Sequence, residues 1–196
     1  MEAEYVTSVY KTADLPRDHL IEIAVAGKSN VGKSSLLNKL TGRRQLAKTS
    51  RTPGKTRCLN YFRIMPDKSK PFYLVDLPGY GYAKVAKTTR RDWGKLLDDY
   101  LASEERPAGM IALFDSRRDA DTTERDWLAW LQQWGRPFVM VLTKIDKLSR
   151  NERARAQRRW QDAGGAEPVL FSSVTAEGKD KLWQWIDHVR LAASKR

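Results

Sequence analysis

Gly27, Lys28, Ser29, Asn30, Val31, Gly32, Lys33 and Ser34 spell G-x-x-x-x-G-K-S, and their setting constrains this chain more than any other feature does. A β-rich run, LIEIAVA at 20–26, leads straight into them, and an apolar periodic stretch at 33–40 follows, ended by Gly42. In a strand–loop–helix of this kind, backbone N–H groups wrap phosphate oxygens and the helix N-terminus adds positive potential. Lys33 then reaches the terminal phosphates, and the Ser34 hydroxyl is placed for Mg²⁺. With glycine at about 7% of residues, a chance match in a chain of this length has a probability on the order of one per cent, so a mere glycine-rich turn explains it poorly.

The alternation continues down the chain. Residues 58–65 and 72–76 read as strands joined by the polar turn Pro66, Asp67, Lys68 and Ser69, a spacing that suits an antiparallel hairpin. Helical patterns at 88–103, 122–134, 151–163 and 179–193 alternate with strands at 110–114, 138–142 and 169–171. Together these predict an α/β chain with a mostly parallel six-stranded sheet and helices on both faces. One domain over 1–196 is expected, with a short extension before the first strand. Residues 43–57 lack apolar periodicity and hold Thr49, Ser50, Thr52, Pro53 and Gly54, which marks a loop. Trp127, Trp130 and Trp134 fall at i, i+3 and i+7, a helix face that points to core packing ahead of base stacking.

Several classes are excluded. The longest apolar runs, 110–114 and 138–142, fall far short of the ~20 residues that span a bilayer. The start, Met1, Glu2, Ala3 and Glu4, lacks the basic and apolar pattern of a secretory signal, so a cytoplasmic protein without a membrane partner is expected. Cys58 is the only cysteine and His19 and His188 the only histidines, which argues against a disulfide or a zinc site.

Further motifs sit at the ends of predicted strands. Asp76, Leu77, Pro78 and Gly79 follow the second hairpin strand, which aims Asp76 at the phosphate loop as a Mg²⁺-side carboxylate and offers the Gly79 N–H to the γ-phosphate. Thr143, Lys144, Ile145 and Asp146 follow the strand at 138–142. Asp146 can accept from the N1–H and N2 amino group of guanine, a donor pair that adenine lacks, with the Lys144 stem lying along the base. Phe171, Ser172 and Ser173 come after the last strand, where backbone N–H groups can meet the guanine O6.

With these residues in place, and with Ser35 after the first motif, Thr52, Pro53, Gly54, Lys55 and Thr56 in the loop, and D-L-P-G-Y-G-Y-A at 76–83, the sequence resembles the EngB family of bacterial GTPases. The resemblance covers most of the chain. It implies a small-GTPase-like fold, GTP and GDP binding with Mg²⁺, and an association with maturation of the large ribosomal subunit and with normal septation and cell division. Arg57 and Cys58 join the nucleotide-contacting set, and Lys33, Thr56, Gly79 and Asn30 form the expected catalytic group. Ser34, Thr56 and Asp76 are the expected metal ligands, with Thr52 and Thr49 as competitors for the place of Thr56. Tyr80 stands where related enzymes carry a water-orienting glutamine, so slow intrinsic hydrolysis is expected. Asn30 matches an asparagine that holds K⁺ in some relatives, and it also suits simple bracing of the loop.

Charge adds a partner. The chain carries 36 Lys and Arg against 24 Asp and Glu, a net +12. From residue 23 to 66, a stretch of 44 residues, there is no acid at all and ten cations, among them Arg43, Arg44, Lys48, Arg51, Lys55, Arg57 and Arg63. A bound triphosphate uses two or three of them, which leaves the rest for a large polyanion such as ribosomal RNA. Tyr80, Tyr82, Lys84, Lys87, Arg90 and Arg91 interleave aromatics and cations, a mixture suited to RNA and equally to local packing of the tyrosines. Two readings stand: a monomeric GTP-hydrolysing assembly factor on the large-subunit precursor, or a nucleotide-gated protein-binding module at the division site whose hydrolysis is incidental.

Overall fold

The computed structural model describes residues 1–43, 45–47, 58–67, 69–79 and 87–195, with 87–94 described by their backbone alone. Among them are the strands β1 (Glu2–Val9), β2 (Glu22–Gly27), β3 (Leu59–Met65), β4 (Phe72–Asp76), β5 (Gly109–Asp115), β6 (Phe138–Thr143) and β7 (Val169–Leu170). The helices are α1 (Lys33–Thr41), α2 (Lys87–Ala102), α3 (Thr122–Gln133), α4 (Arg150–Gly164) and α5 (Lys179–Ala193). The sheet order is β1-β3-β4-β2-β5-β6-β7. β4, β2, β5, β6 and β7 run parallel, and β1 and β3 are antiparallel to their neighbours.

The period-2 alternation of the strands splits the core between two faces. Ala24 and Ala26 of β2 with Met110, Ala112 and Phe114 of β5 face α2, α3 and α4, where Tyr100, Leu128, Leu131 and Trp160 cover them. Ile23, Val25, Ile111 and Leu113 face α1 and α5 through Leu36, Leu40, Leu182 and Ile186. Burial on both sides explains why these strands read as continuous apolar runs. The chain leaves β2 through α1 to β3 and β4 on one side of it, and returns through α2 to β5 on the other. A crevice at the carboxyl ends beside β2 follows, the place where such sheets bind ligands.

The six expected strands are present, and the N-terminal extension adds a seventh. β1 gives little signal because only Ala3 and Val9 are buried and because a bulge interrupts it: Tyr5 pairs with Phe62, but Thr7 pairs with Tyr61, leaving Val6 as the extra residue. On an unbroken strand Ala3 and Val9, six apart, would face the same way; the bulge sends them to opposite core faces. The tryptophans behave as a ladder. Trp127 and Trp134 pack against the core while Trp130 stays 37% exposed, and the rings stack at 4.9 Å and 5.5 Å, so each covers the next. Among the described residues no helix is long and apolar enough to cross a membrane.

Candidate functional site

The phosphate loop leaves β2 at Gly27 and enters α1 at Lys33. Gly32, at φ 113°, occupies a conformation that L side chains rarely adopt and forms the N-terminal boundary of α1, where its carbonyl accepts from the Leu36 amide at 2.9 Å. Asn30 sits at φ 61°, a left-handed position that asparagine tolerates better than most residues. Gly79 closes on the loop from the other side: a Cβ there would lie 2.8 Å from Ser29 Oγ and 3.0 Å from Ser29 N, so only glycine lets the two backbones meet.

Asp76 ends β4 beside this loop, with Oδ1 3.9 Å from Lys33 Nζ. It is 7% exposed, and its Oδ1 is buried with no hydrogen-bond partner among the described residues. Burial pushes its carboxyl above the usual range, opposed by the Lys33 ammonium and a hydrogen bond from Asn60. A buried carboxylate oxygen left open next to the phosphate-loop lysine is a donor suited to a divalent cation. Ser34 and Ser35 follow Lys33 in the first turn of α1.

The base side is built by the ends of β6 and β7. Lys144 takes φ 62°, and this turn carries its ammonium onto the Asn30 carbonyl at 2.7 Å and onto Asp115 Oδ2 at 2.9 Å. The Thr143 hydroxyl is buried and donates to the Val31 carbonyl at 2.6 Å, with Phe114 O at 3.1 Å, so Thr143 braces the loop from behind. Ser172 Oγ donates to Asp146 Oδ1 at 2.8 Å and accepts from the Val174 and Thr175 amides, which fixes the direction of that donation. Gly32, Ser35, Thr143, Lys144, Phe171 and Ser173 line a pocket here.

The remaining expected residues take the following places. The Lys28 ammonium pairs with Asp121 and, at 3.5 Å, with Glu124 of α3, so its side chain braces the α3 N-terminus. Val31, Leu77, Ile145 and Phe171 are core side chains, because the strand ends that carry them must also seal the sheet. Pro78 is buried too, and the Leu77 amide is taken by the Val25 carbonyl. Cys58 is 5% exposed and donates to Asn60 Oδ1 at 3.4 Å, facing the sheet. Of the three amides expected near a guanine O6, Phe171 donates to Leu142 and Ser172 to Glu177, which leaves Ser173 for that role. Gly54, Lys55, Thr56, Arg57, Thr52, Thr49, Tyr80 and Tyr82 lie outside the described residues. Sequence reasoning missed Asp115, whose only signal was an acid at a strand's carboxyl end, like Asp76.

A phosphate loop at the crossover beside β2, with acids closing β4 and β5, defines a P-loop GTPase. A family profile described as 50S ribosome-binding GTPase matches residues 22–144. The probable GTP-binding protein EngB of Chlorobium luteolum is 46% identical over 190 residues, covering 96% of this chain and 90% of its own length. The protein of the same description from Oleidesulfovibrio alaskensis is 46% identical over 178 residues, covering 90% and 80%. The crystal structure of a probable GTP-binding protein engB superposes with a TM-score of 0.67 at 18% identity, over 87% of this chain and 99% of that one. Era, solved in complex with MgGDPNP and nucleotides 1506–1542 of 16S ribosomal RNA, gives a TM-score of 0.71 at 21% identity, over 85% and 55%. At such identities the structural likeness speaks to fold alone. The chain belongs to the EngB family of GTP-binding proteins, and it is a GTPase.

Proposed function

We propose that this chain is a nucleotide-switched factor of the cytoplasm that hydrolyses GTP while assembling the large ribosomal subunit, with a link to normal septation and cell division. The observation that carries the reading is the acid-free sequence stretch of 44 residues and ten cations that contains the phosphate-loop motif, far more positive charge than a triphosphate uses. The family profile's description as a 50S ribosome-binding GTPase supports the same partner. Within the site, Gly27 to Ser34 cradle the phosphates, Lys33 neutralises the terminal ones and Gly79 donates its N–H to the γ-phosphate. Asp146, aligned by Ser172, reads the guanine, and the Ser173 amide meets O6.

Mg²⁺ fits the residues present, since Asp76 keeps a buried oxygen without a hydrogen-bond partner among the described residues, beside Lys33. Ser34, Thr56 and Asp76 are its proposed holders. Mg²⁺ bound there would neutralise negative charge on the phosphates. Tyr80 cannot orient water as a glutamine amide does, so intrinsic turnover is slow, below the ~1 s⁻¹ floor of ordinary catalysis. K⁺ held near Asn30, or the ribosome, supplies the missing stimulation, and the factor acts as a monomer. Co-sedimentation with ribosomal particles in a GTP analogue against GDP tests the proposal. Tighter binding in the GTP analogue is expected; binding that ignores both nucleotide and salt would favour a nucleotide-gated protein-binding module at the division site.

A further inference from the structure

Three residues in line across three strands tie the N-terminal strand to the site. In the sheet register Ser8 of β1 lies opposite Asn60 of β3, and Asn60 lies opposite Asp76 of β4. Residues opposite one another in antiparallel pairs point to the same face, so the three side chains form one row. Ser8 Oγ donates to Asn60 Oδ1 at 2.6 Å, and the Cys58 thiol donates to the same oxygen at 3.4 Å. The Asn60 side chain faces Asp76 directly across the pair, where its amide draws the Asp76 carboxyl down against the effect of burial. Tyr5 OH lies 2.8 Å from Ser8 Oγ.

The row has a direction. An ionised carboxylate only accepts, so Asn60 must turn its NH₂ toward Asp76 and its carbonyl toward β1. An amide's two ends have nearly the same shape, and only its neighbours decide which way it points. Here the carboxylate decides, and Ser8 answers the outward carbonyl with its proton. Ser8 gives its proton to Asn60 and is therefore free to accept from Tyr5. Reversing the amide would set its carbonyl against the buried Asp76 carboxylate, and the Ser8 bond pins the other end of the amide in the orientation that avoids this.

We propose that β1 is part of the GTPase machinery: Ser8 orients Asn60, and Asn60 holds Asp76 so that its open oxygen faces the Mg²⁺ position. Both are positioning residues. The proposal rests on the reading of Asp76 as the Mg²⁺-side carboxylate. The β1 bulge is what makes it work, because the extra residue at Val6 sets Ser8 on the face that Asn60 and Asp76 share.

The test measures dissociation of a fluorescent GDP analogue from the full chain while Mg²⁺ is varied, with the rate in excess EDTA as the metal-free reference. Outer-shell partners of metal ligands typically change metal affinity by about 10- to 100-fold. Ser8→Ala should raise the Mg²⁺ concentration at half-effect by roughly tenfold, and Asn60→Leu by more, with the EDTA rate held within about twofold. Ser8→Thr, which keeps the hydroxyl, should restore the wild-type value. In the metal-free GDP form, the Asn60 side-chain N–H resonances should exchange slowly with solvent and lose that protection in Ser8→Ala. If Asp76→Asn shifts the Mg²⁺ dependence while Ser8→Ala and Asn60→Leu do not, the row is ordinary packing and the proposal falls. If Asp76→Asn itself leaves the dependence unchanged, the assignment of Asp76 falls and the proposal goes with it.

Discussion

Lys144 holds two parts of the site together, and Asp115 is what holds Lys144. The Asp115 carboxylate accepts the Arg117 fork, Nε at 2.9 Å and Nη2 at 2.8 Å, along with the Lys144 ammonium. Partial burial pushes this carboxyl up, but the hydrogen bonds from Arg117 and Lys144 outweigh it and hold it well below the usual carboxylate range. A folded-state pKa lower than the unfolded one stabilises the protein above the unfolded value, and that contribution is lost as pH falls through the folded one. Asp115→Asn should therefore cost about 1–2 kcal/mol from neutral pH down to about pH 4, the ordinary carboxylate value, with the gap to the parent narrowing only in more acid solution. Urea unfolding from pH 7 to pH 2.5 checks this. Asp146→Asn should move base preference from guanine to xanthine nucleotides, and the parent should favour GTP over ATP by about 10⁴-fold. Competition binding measures both, and equal ATP and GTP affinity in the parent would refute the guanine reader. Asp146 was legible because T-K-x-D has a chemical reason; Asp115 was not, because its partner Lys144 reaches it only when β5 and β6 pair.

At the scale of elements, α3 is fastened at its start. Asp121 accepts from the Glu124 amide at 3.0 Å and Glu124 returns a bond from the Asp121 amide at 3.1 Å, a reciprocal cap to which Lys28 adds its charge. Removing a cap of this type costs about 1–2 kcal/mol, whereas a partly exposed ion pair is worth ~0–1 kcal/mol. Asp121→Ala should thus destabilise the chain more than Lys28→Met does, and the double variant should show coupling between them in urea unfolding. If Lys28→Met costs as much as Asp121→Ala, the ion pair and not the cap governs this junction. Six strands and five helices were readable because each buried an apolar run or stripe. β1 was not, since an edge strand with two buried residues and a bulge carries neither alternation nor an apolar run.

Across the whole molecule, charge is segregated: the 44 residues from 23 to 66 hold +10 of the net +12. Counterion release makes binding of so cationic a segment to RNA fall steeply with salt, and ribosomal particles should release the chain as salt rises from about 50 to 200 mM. Reversing Arg43, Arg44 and Lys48 should weaken that association at least tenfold in sedimentation assays while leaving GTP affinity intact, since about 10³- to 10⁵-fold separates low from moderate salt for six to ten phosphate contacts. Arg43 is exposed, whereas Arg44 and Lys48 lie outside the described residues. Loss of GTP affinity together with ribosome binding would place these cations at the nucleotide instead.

The pairing of Ser8 with Asn60 spans 52 positions of the chain. During synthesis at about 5–20 residues per second, Ser8 therefore waits several seconds for its partner, and Asp76 emerges later still. Yet β3 is finished before β4 and β5, the neighbours that β2 needs, have been made. The earliest-made segment can therefore close onto β3 before the strand that bears the phosphate loop finds its own place in the sheet. In a newborn chain Asp76 would then arrive at an Asn60 that Ser8 already holds.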